Sequence, residues 1–380
     1  MQLVALEVAA IALGLAITSG SVLFIVIAVA FASCLVLAVL AESGGRWWYQ
    51  AAALQVGLRR RQRVYRTATP HRGPGVAPAA PGAWIVAPDL RVYSYDNRGD
   101  KIGIGQDRHG WYAAVLLGTD TDLLAGPAQM LRLDRVLRLL EEGAARPSRL
   151  QLTTLRVPAP TRLVSDRAEC ARSYLDLLGQ VAHPPPAAAA LIWLAVRLDP
   201  DDASIASAER GGGVAGVNRS LAAAVGRIGK LLGGDGIDYH VLDGEELRAA
   251  VDIGCGFDGA APTEAGSVDV VERWRSWQVG NVAHHCFEVR GWPIDLDAGL
   301  LDRLATAPAD QVVVSVIAAA RGDLLSARTV VRITAPPNRV AEAAEEVRNY
   351  AAGFGVPLRP LHGLHASAAY ASAPTGGGWL

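Results

Sequence analysis

The sequence predicts a mixed α/β (α+β) cytosolic domain carried behind an N-terminal hairpin of two transmembrane helices. Three observations lead there. Apolar residues crowd into the first forty or so positions of the 380, and arginines gather directly after them. Beyond a Pro/Gly/Ala stretch, short strand-like runs then give way to alternating strand and helix patterns.

Residues 3–19 (LVALEVAAIALGLAITS) and 21–41 (SVLFIVIAVAFASCLVLAVLA) are apolar apart from Glu7 and small hydroxyl residues. About 20 residues rising 1.5 Å each span the roughly 30 Å hydrocarbon core, so each segment is just long enough. The uncharged turn Thr18-Ser19-Gly20-Ser21 suits an antiparallel pair, and Gly14, Ala28, Ala32 and Ser33 permit close helix packing. A signal peptide would open on a basic region and would not be followed at once by a second apolar span. Orientation follows from Arg46, Arg59, Arg60, Arg61, Arg63 and Arg66, which lie just past the second span. By the positive-inside rule they place the chain after residue 42, and the N-terminus with it, on the cytoplasmic side of the inner (plasma) membrane. Trp47, Trp48 and Tyr49 fit an aromatic interface belt, and 46–66 reads as a basic helix lying on anionic headgroups. The lipid bilayer is thus the first expected partner.

The remaining divisions follow composition. Residues 1–42 are the hairpin, 43–66 a basic juxtamembrane segment, and 67–82 (Pro/Gly/Ala-rich) a linker. Residues 83–364 form the cytosolic domain and 365–380 a flexible tail. The domain opens with β-type runs WIVA, RVYSY, KIGIGQ and GWYAAVLL, with turns at Asp96–Gly99 and Asp107–Gly110. Then come a helix near 128–143, a strand 149–157, a helix 167–178, a strand 191–198, a helix 214–232, a strand 237–242 and a helix 244–251. Strands at 281–289, 311–317 and 328–334 and a helix 340–354 complete the pattern. No repeat period is visible.

Near-neutral charge, −1 at pH 7, argues against a nucleic-acid surface. Cys34, Cys170, Cys255 and Cys286 show no CxxC spacing and read as buried free thiols. Gly211–Gly216 has the letters G-x-G-x-x-G, but the polar stretch 199–210 separates it from the preceding strand, so a loop entering a helix is favoured over a dinucleotide site. Gly229-Lys230-Leu231 lacks both the upstream glycine and the Ser/Thr of a P-loop. Asp295-Leu296-Asp297 offers two hard oxygen donors for a metal against a nucleotide sugar, yet equally caps the helix around 298–305. His284-His285-Cys286 contains metal-type ligands, but adjacent strand side chains face opposite ways and no second cluster completes a set. No catalytic residue, cofactor site or metal site is therefore expected. Trp274, Trp277 and Trp292, set beside arginines, serve either the core or a contact with another subunit.

The layout resembles EccE, a membrane subunit of the actinobacterial type VII (ESX) secretion machinery. The resemblance rests on the two opening helices, the Arg-rich stretch, the segment VYSYDNRGDKIGIGQDRHGWYAAVLL, and most sharply on ERWRSWQ with NVAHHCFEVRGWP (281–293). It implies a non-enzymatic structural subunit at the edge of an inner-membrane complex, beside partners of the EccB, EccC and EccD types. Energy would come from the EccC-type ATPase, consistent with the missing P-loop. The family's cytosolic fold is said to be glycosyltransferase-like without the activity, so a membrane-tethered glycosyltransferase-like enzyme using Asp295 and Asp297 is the alternative.

Overall fold

The structure is a computed structural model that describes residues 2–18, 20–40, 42–43, 46–67, 82–118, 131–141, 146–158, 169, 173, 187–257, 269–292, 298–321 and 324–378. The chain divides into two compact units, Met1–Val64 and Tyr65–Leu380.

In the first unit, α1 (Gln2–Thr18) and α2 (Val22–Leu40) pack together across a turn in which Gly20 adopts φ +67°. The buried residues are small: Ala9, Ala16 and Ala32, which let the backbones approach closely. Of the residues expected at this contact, Ala32 is buried and Ala28 half-buried, while Gly14 and Ser33 are exposed. Large apolar side chains point outward from both helices, including Ile11, Leu15, Ile17, Leu23, Phe24 and Phe31, all more than half exposed. Among the described residues, however, no helix is long and apolar enough to cross a membrane. At 17 and 19 residues, α1 and α2 rise about 26 and 29 Å, short of the roughly 30 Å core. The helical hairpin expected from the sequence is present; the two-span topology is not supported. A two-residue ribbon follows, β1 (Glu42–Ser43) with β2 (Arg46–Trp47), and then α3 (Trp48–Thr67). Cys34, expected to be buried, is exposed.

The second unit is built on one twelve-stranded sheet in which every pairing is antiparallel. Its strands are β3 (Arg91–Asn97), β4 (Asp100–Asp107), β5 (Gly110–Leu117), β6 (Arg149–Pro158), β7 (Ala187–Leu198), β8 (Tyr239–Val241), β9 (Val270–Glu272), β10 (Trp277–Val279), β11 (Val282–Val289), β12 (Gln311–Arg321), β13 (Leu324–Ala335) and β14 (Leu358–Pro360). The helices are α4 (Leu133–Arg138), α5 (Pro200–Ala208), α6 (Gly213–Gly234), α7 (Gly244–Cys255), α8 (Ala298–Ala305), α9 (Val340–Ala352) and α10 (His365–Ser372). One face of the sheet carries an apolar layer with α4, α5, α6, α8 and α9. The other packs against α7, α10 and the short 3₁₀ turn Ala83–Ile85. Both faces are covered, so central strands such as β7 and β12 read as continuous apolar runs.

The strand order hides an internal duplication. From the central pair β6–β12, one half runs β7, β5 and then β4 with β8; the other runs β13, β11 and then β10 with β14. The chain order agrees: β3-β4-β5-α4-β6-β7-α6-β8-α7 is matched by β9-β10-β11-α8-β12-β13-α9-β14-α10, with α5 an addition to the first half. One short string marks equivalent places: Leu242-Asp243-Gly244 and Leu361-His362-Gly363 follow β8 and β14, with the Leu242 N–H on the Ala114 carbonyl of β5 and the Leu361 N–H on the Cys286 carbonyl of β11. No repeat was visible in the sequence because the two halves keep topology and lose letters.

Three further expectations change. WIVA forms the 3₁₀ turn instead of a strand. The polar stretch 199–210 contains α5, started by Pro200 at its first turn. The C-terminal segment is not a flexible tail: α10 is buried along its whole length, and buried residues continue to Gly378. Its composition, small and uncharged, is what a helix wedged between a sheet and α7 requires. The linker 68–81, the helix expected at 167–178 except residues 169 and 173, and Asp295 and Asp297 lie outside the described residues.

Candidate functional site

The residues with chemistry to offer converge where β11 changes neighbours. Its first half pairs with β10 (Trp277↔His284) and its last with β14 (Phe287↔Pro360), leaving an edge gap at His285 and Cys286. In that gap Leu361 donates its N–H to the Cys286 carbonyl at 2.9 Å. The Cys286 N–H in turn donates to His365 Nδ1 at 3.1 Å, a side chain standing in for a missing strand. Between them the chain turns at Gly363, φ +74°, whose N–H donates to the Trp274 carbonyl. A Cβ there would lie 2.6 Å from the Trp274 ring, so only glycine fits.

This turn sets three imidazoles together. The rings of His285 and His365 are 4.7 Å apart, and that of His362 lies 5.8 and 5.9 Å from them. Each offers a nitrogen within 4.8 Å of the others. His285 and His365 are buried, His362 is half-buried, and Phe287 and Trp274 complete the surroundings, stacked on His285 and His362. Burial, helped by the nearby His362, pushes the His285 imidazole down to about 4, against a bond to the Arg275 backbone that raises it. His285 thus gains two histidine neighbours that the sequence reading did not bring to it, though three donors do not make the four-ligand set considered there. The missing partners sit at the start of a segment that sequence composition marked as a tail. The string L-H-G-L-H (361–365) was the one signal that would have found them.

On the opposite side of β11, His284 is buried against Thr334 Oγ1 (2.9 Å) and Arg332 Nη1 (3.3 Å). Burial and that guanidinium hold it well below the usual imidazole range. The Cys286 thiol is pushed up to about 12 by burial, and that of Cys255 higher still, so both are inert at neutral pH.

The second buried cluster is structural. Arg197, wholly inaccessible, is bracketed by Asp107 and donates to the Thr375 carbonyl at 2.7 Å. Tyr370 donates to Asp107 Oδ2 at 2.8 Å. Arg332 in β13 is equally buried, and the contacts are crossed between halves. Gly376, after α10, presses on Arg197, while Gly256, after α7, presses on His284 and Arg332. Both glycines have positive φ.

The expected subunit-contact tryptophans separate. Trp277 is fully buried, its indole N–H directed at the Cys255 carbonyl, and belongs to the core. Trp274 and Trp292 are half-buried. In α3, Tyr49 and Arg61 are half-buried and Arg59, Arg60 and Arg63 exposed. The side chains of Arg46, Trp47, Trp48 and Arg66 lie outside the described part. Gly211 and Gly212 lead into α6, whose first residue is Gly213, and are preceded by α5 and not by a strand.

Fold and site together define a mixed α/β domain on a large antiparallel sheet, its buried charges spent on joining two halves. Residues 187–289, from β7 through β11, match the family described as "EccE: Putative type VII ESX secretion system translocon, EccE". The resemblance drawn from the sequence is thereby shown over about a quarter of the chain, and the family is a secretion-system component. No curated protein matches the chain.

Proposed function

We propose that the protein is a structural subunit of a type VII (ESX) secretion membrane complex. The carrying observation is the EccE match across β7–β11, the segment that crosses from the first half of the sheet into the second. In this reading α1 and α2 are held in the inner membrane as a two-helix anchor, with both termini cytoplasmic. Their outward-facing Ile11, Leu15, Phe24 and Phe31 would be costly in water, at ~25 cal/mol per Å² of apolar surface, and favour lipid or an apolar partner helix. The arginines of α3 lie at the anionic surface. The large domain acts without catalysis, through contacts with subunits of the EccB, EccC and EccD types. Half-buried Trp274 and Trp292 are the side chains to test first at such contacts.

The test is a mild-detergent pull-down of tagged full-length protein from its native membranes. Recovery within a large complex that includes a multidomain ATPase is the expected result. Recovery of the protein alone, repeated under crosslinking, overturns the reading.

A further inference from the structure

We propose that His285, His362 and His365 form a binding site for a divalent transition-metal ion of the zinc class. Three imidazole nitrogens within 4.8 Å of one another match the donor type that such ions prefer. A tetrahedral ion with bonds of about 2.0–2.1 Å needs its nitrogens about 3.4 Å apart, so the rings close by about an ångström on binding.

His285 is the pre-set ligand. Its Nε2 is buried without a hydrogen-bond partner, while the ring is held by a bond to the Arg275 backbone. Since Nε2 has no partner, that bond falls to Nδ1. The Arg275 carbonyl then accepts the Nδ1 proton and leaves a lone pair on Nε2. This is the outer-shell arrangement that fixes the tautomer of metal-bound histidines. Half-buried His362 supplies the second nitrogen and the way in from solvent. His365 is the third. Its Nδ1 now accepts the Cys286 N–H, so it joins the ion by turning its ring and giving up that bond. The fourth position is left to water.

The internal duplication supplies an independent reason to see a site here. Aligning Leu242-Asp243-Gly244 with Leu361-His362-Gly363 pairs Asp243 with His362 and Glu246 with His365. In the first half Asp243 and Glu246 form an ordinary capping box at the start of α7. In the second half both positions are histidine, α10 has no side-chain cap, and a third histidine faces them from β11. α10 starts two residues later in this frame than α7 does, N-capped at Leu364, so His362 stands in the turn before the helix and His365 at its first residue.

The experiment uses untagged full-length protein in detergent, titrated with Co²⁺ at pH 7.5 and followed by visible absorption, with Zn²⁺ as competitor. The expected result is one Co²⁺ per chain with a tetrahedral-type spectrum abolished by Zn²⁺. His362→Ala, at a half-buried position, should weaken binding by more than the roughly 10- to 100-fold that loss of an outer-shell partner costs, with folding verified as for the next variant. His285→Phe should abolish it, with folding verified separately by circular dichroism. Absence of Co²⁺ and Zn²⁺ binding up to millimolar concentration overturns the proposal. So does binding left unchanged by His362→Ala, which would put the ion elsewhere.

Discussion

Tyr370→Ala separates a docked C-terminal segment from a loose one. Tyr370 is fully buried and donates a 2.8 Å hydrogen bond to Asp107, the carboxylate that brackets Arg197. Truncating a buried aromatic to alanine costs about 3–5 kcal/mol. The lost bond to a charged acceptor adds about 1.5–3 kcal/mol. The two are not fully additive because the ring and the hydroxyl share one cavity, so a total near 5 kcal/mol is the working figure. That rivals the whole stability of many domains, about 5–15 kcal/mol. Tyr370→Phe keeps the ring and loses only the bond, so it should cost about 1.5–3 kcal/mol. Urea unfolding of the full-length protein in detergent, followed by tryptophan fluorescence with buried Trp277 as reporter, reads both. The midpoint should fall in the order wild type, Phe, Ala, with the slope unchanged. An alanine variant within about 0.5 kcal/mol of wild type, the range of an ordinary surface change, refutes the docking.

Three further outcomes follow, two from the same network and one from a separate ion cluster on β11. Asp107→Ala strands a buried guanidinium and should cost about 3–5 kcal/mol, while adding Arg197→Met should recover most of it; urea midpoints of both single and double variants check this. Gly376→Ala places a Cβ 2.4 Å from the Cβ of Arg197 at φ +71° and should lower the thermal midpoint well beyond Gly212→Ala, where φ is +78° but nothing lies within 4 Å. At Glu288, burial raises the carboxyl, but Arg328 and Arg359 outweigh it and hold it below the usual range. The folded pKa is depressed, so its contribution is complete above the unfolded value of about 4.3 and lost as pH falls through the folded one. The stability gap between wild type and Glu288→Gln should therefore shrink below about pH 4 in acid titrations of urea midpoints.

What could be read from the sequence followed from local periodicity. The strands at 149–157, 191–198, 281–289, 311–317 and 328–334 were legible because β-branched and aliphatic runs persist there, and the structure extends most of them by a few residues. The helices 214–232 and 340–354 were legible from their 3.6-residue stripe, realised as α6 and α9. Composition misled at α10. HASAAYAS has no amphipathic stripe because it is buried on every side, and a helix without a polar face looks like a low-complexity end.

The candidate site failed to show for a different reason. Strand geometry keeps His285 apart from its own neighbours, since His284 and Cys286 face the other way. Its real partners are more than seventy residues on, and only the pairing of β14 with the far half of β11 brings them back. Such pairing leaves no trace in local periodicity. It does leave one in the duplication: L-D-G-E-E after one strand and L-H-G-L-H after its counterpart share a frame and differ at three positions, two of which become histidine. A fold made of two similar halves supplies its own internal control. In one half Asp243 and Glu246 cap α7, and in the other His362 stands in the turn before α10 and His365 at its first residue. The buried arginines carry the same lesson with the opposite result. Arg197 and Arg332 lie one in each half and are each covered by a glycine turn from the other, which marks them as joints of the fold and not as a site.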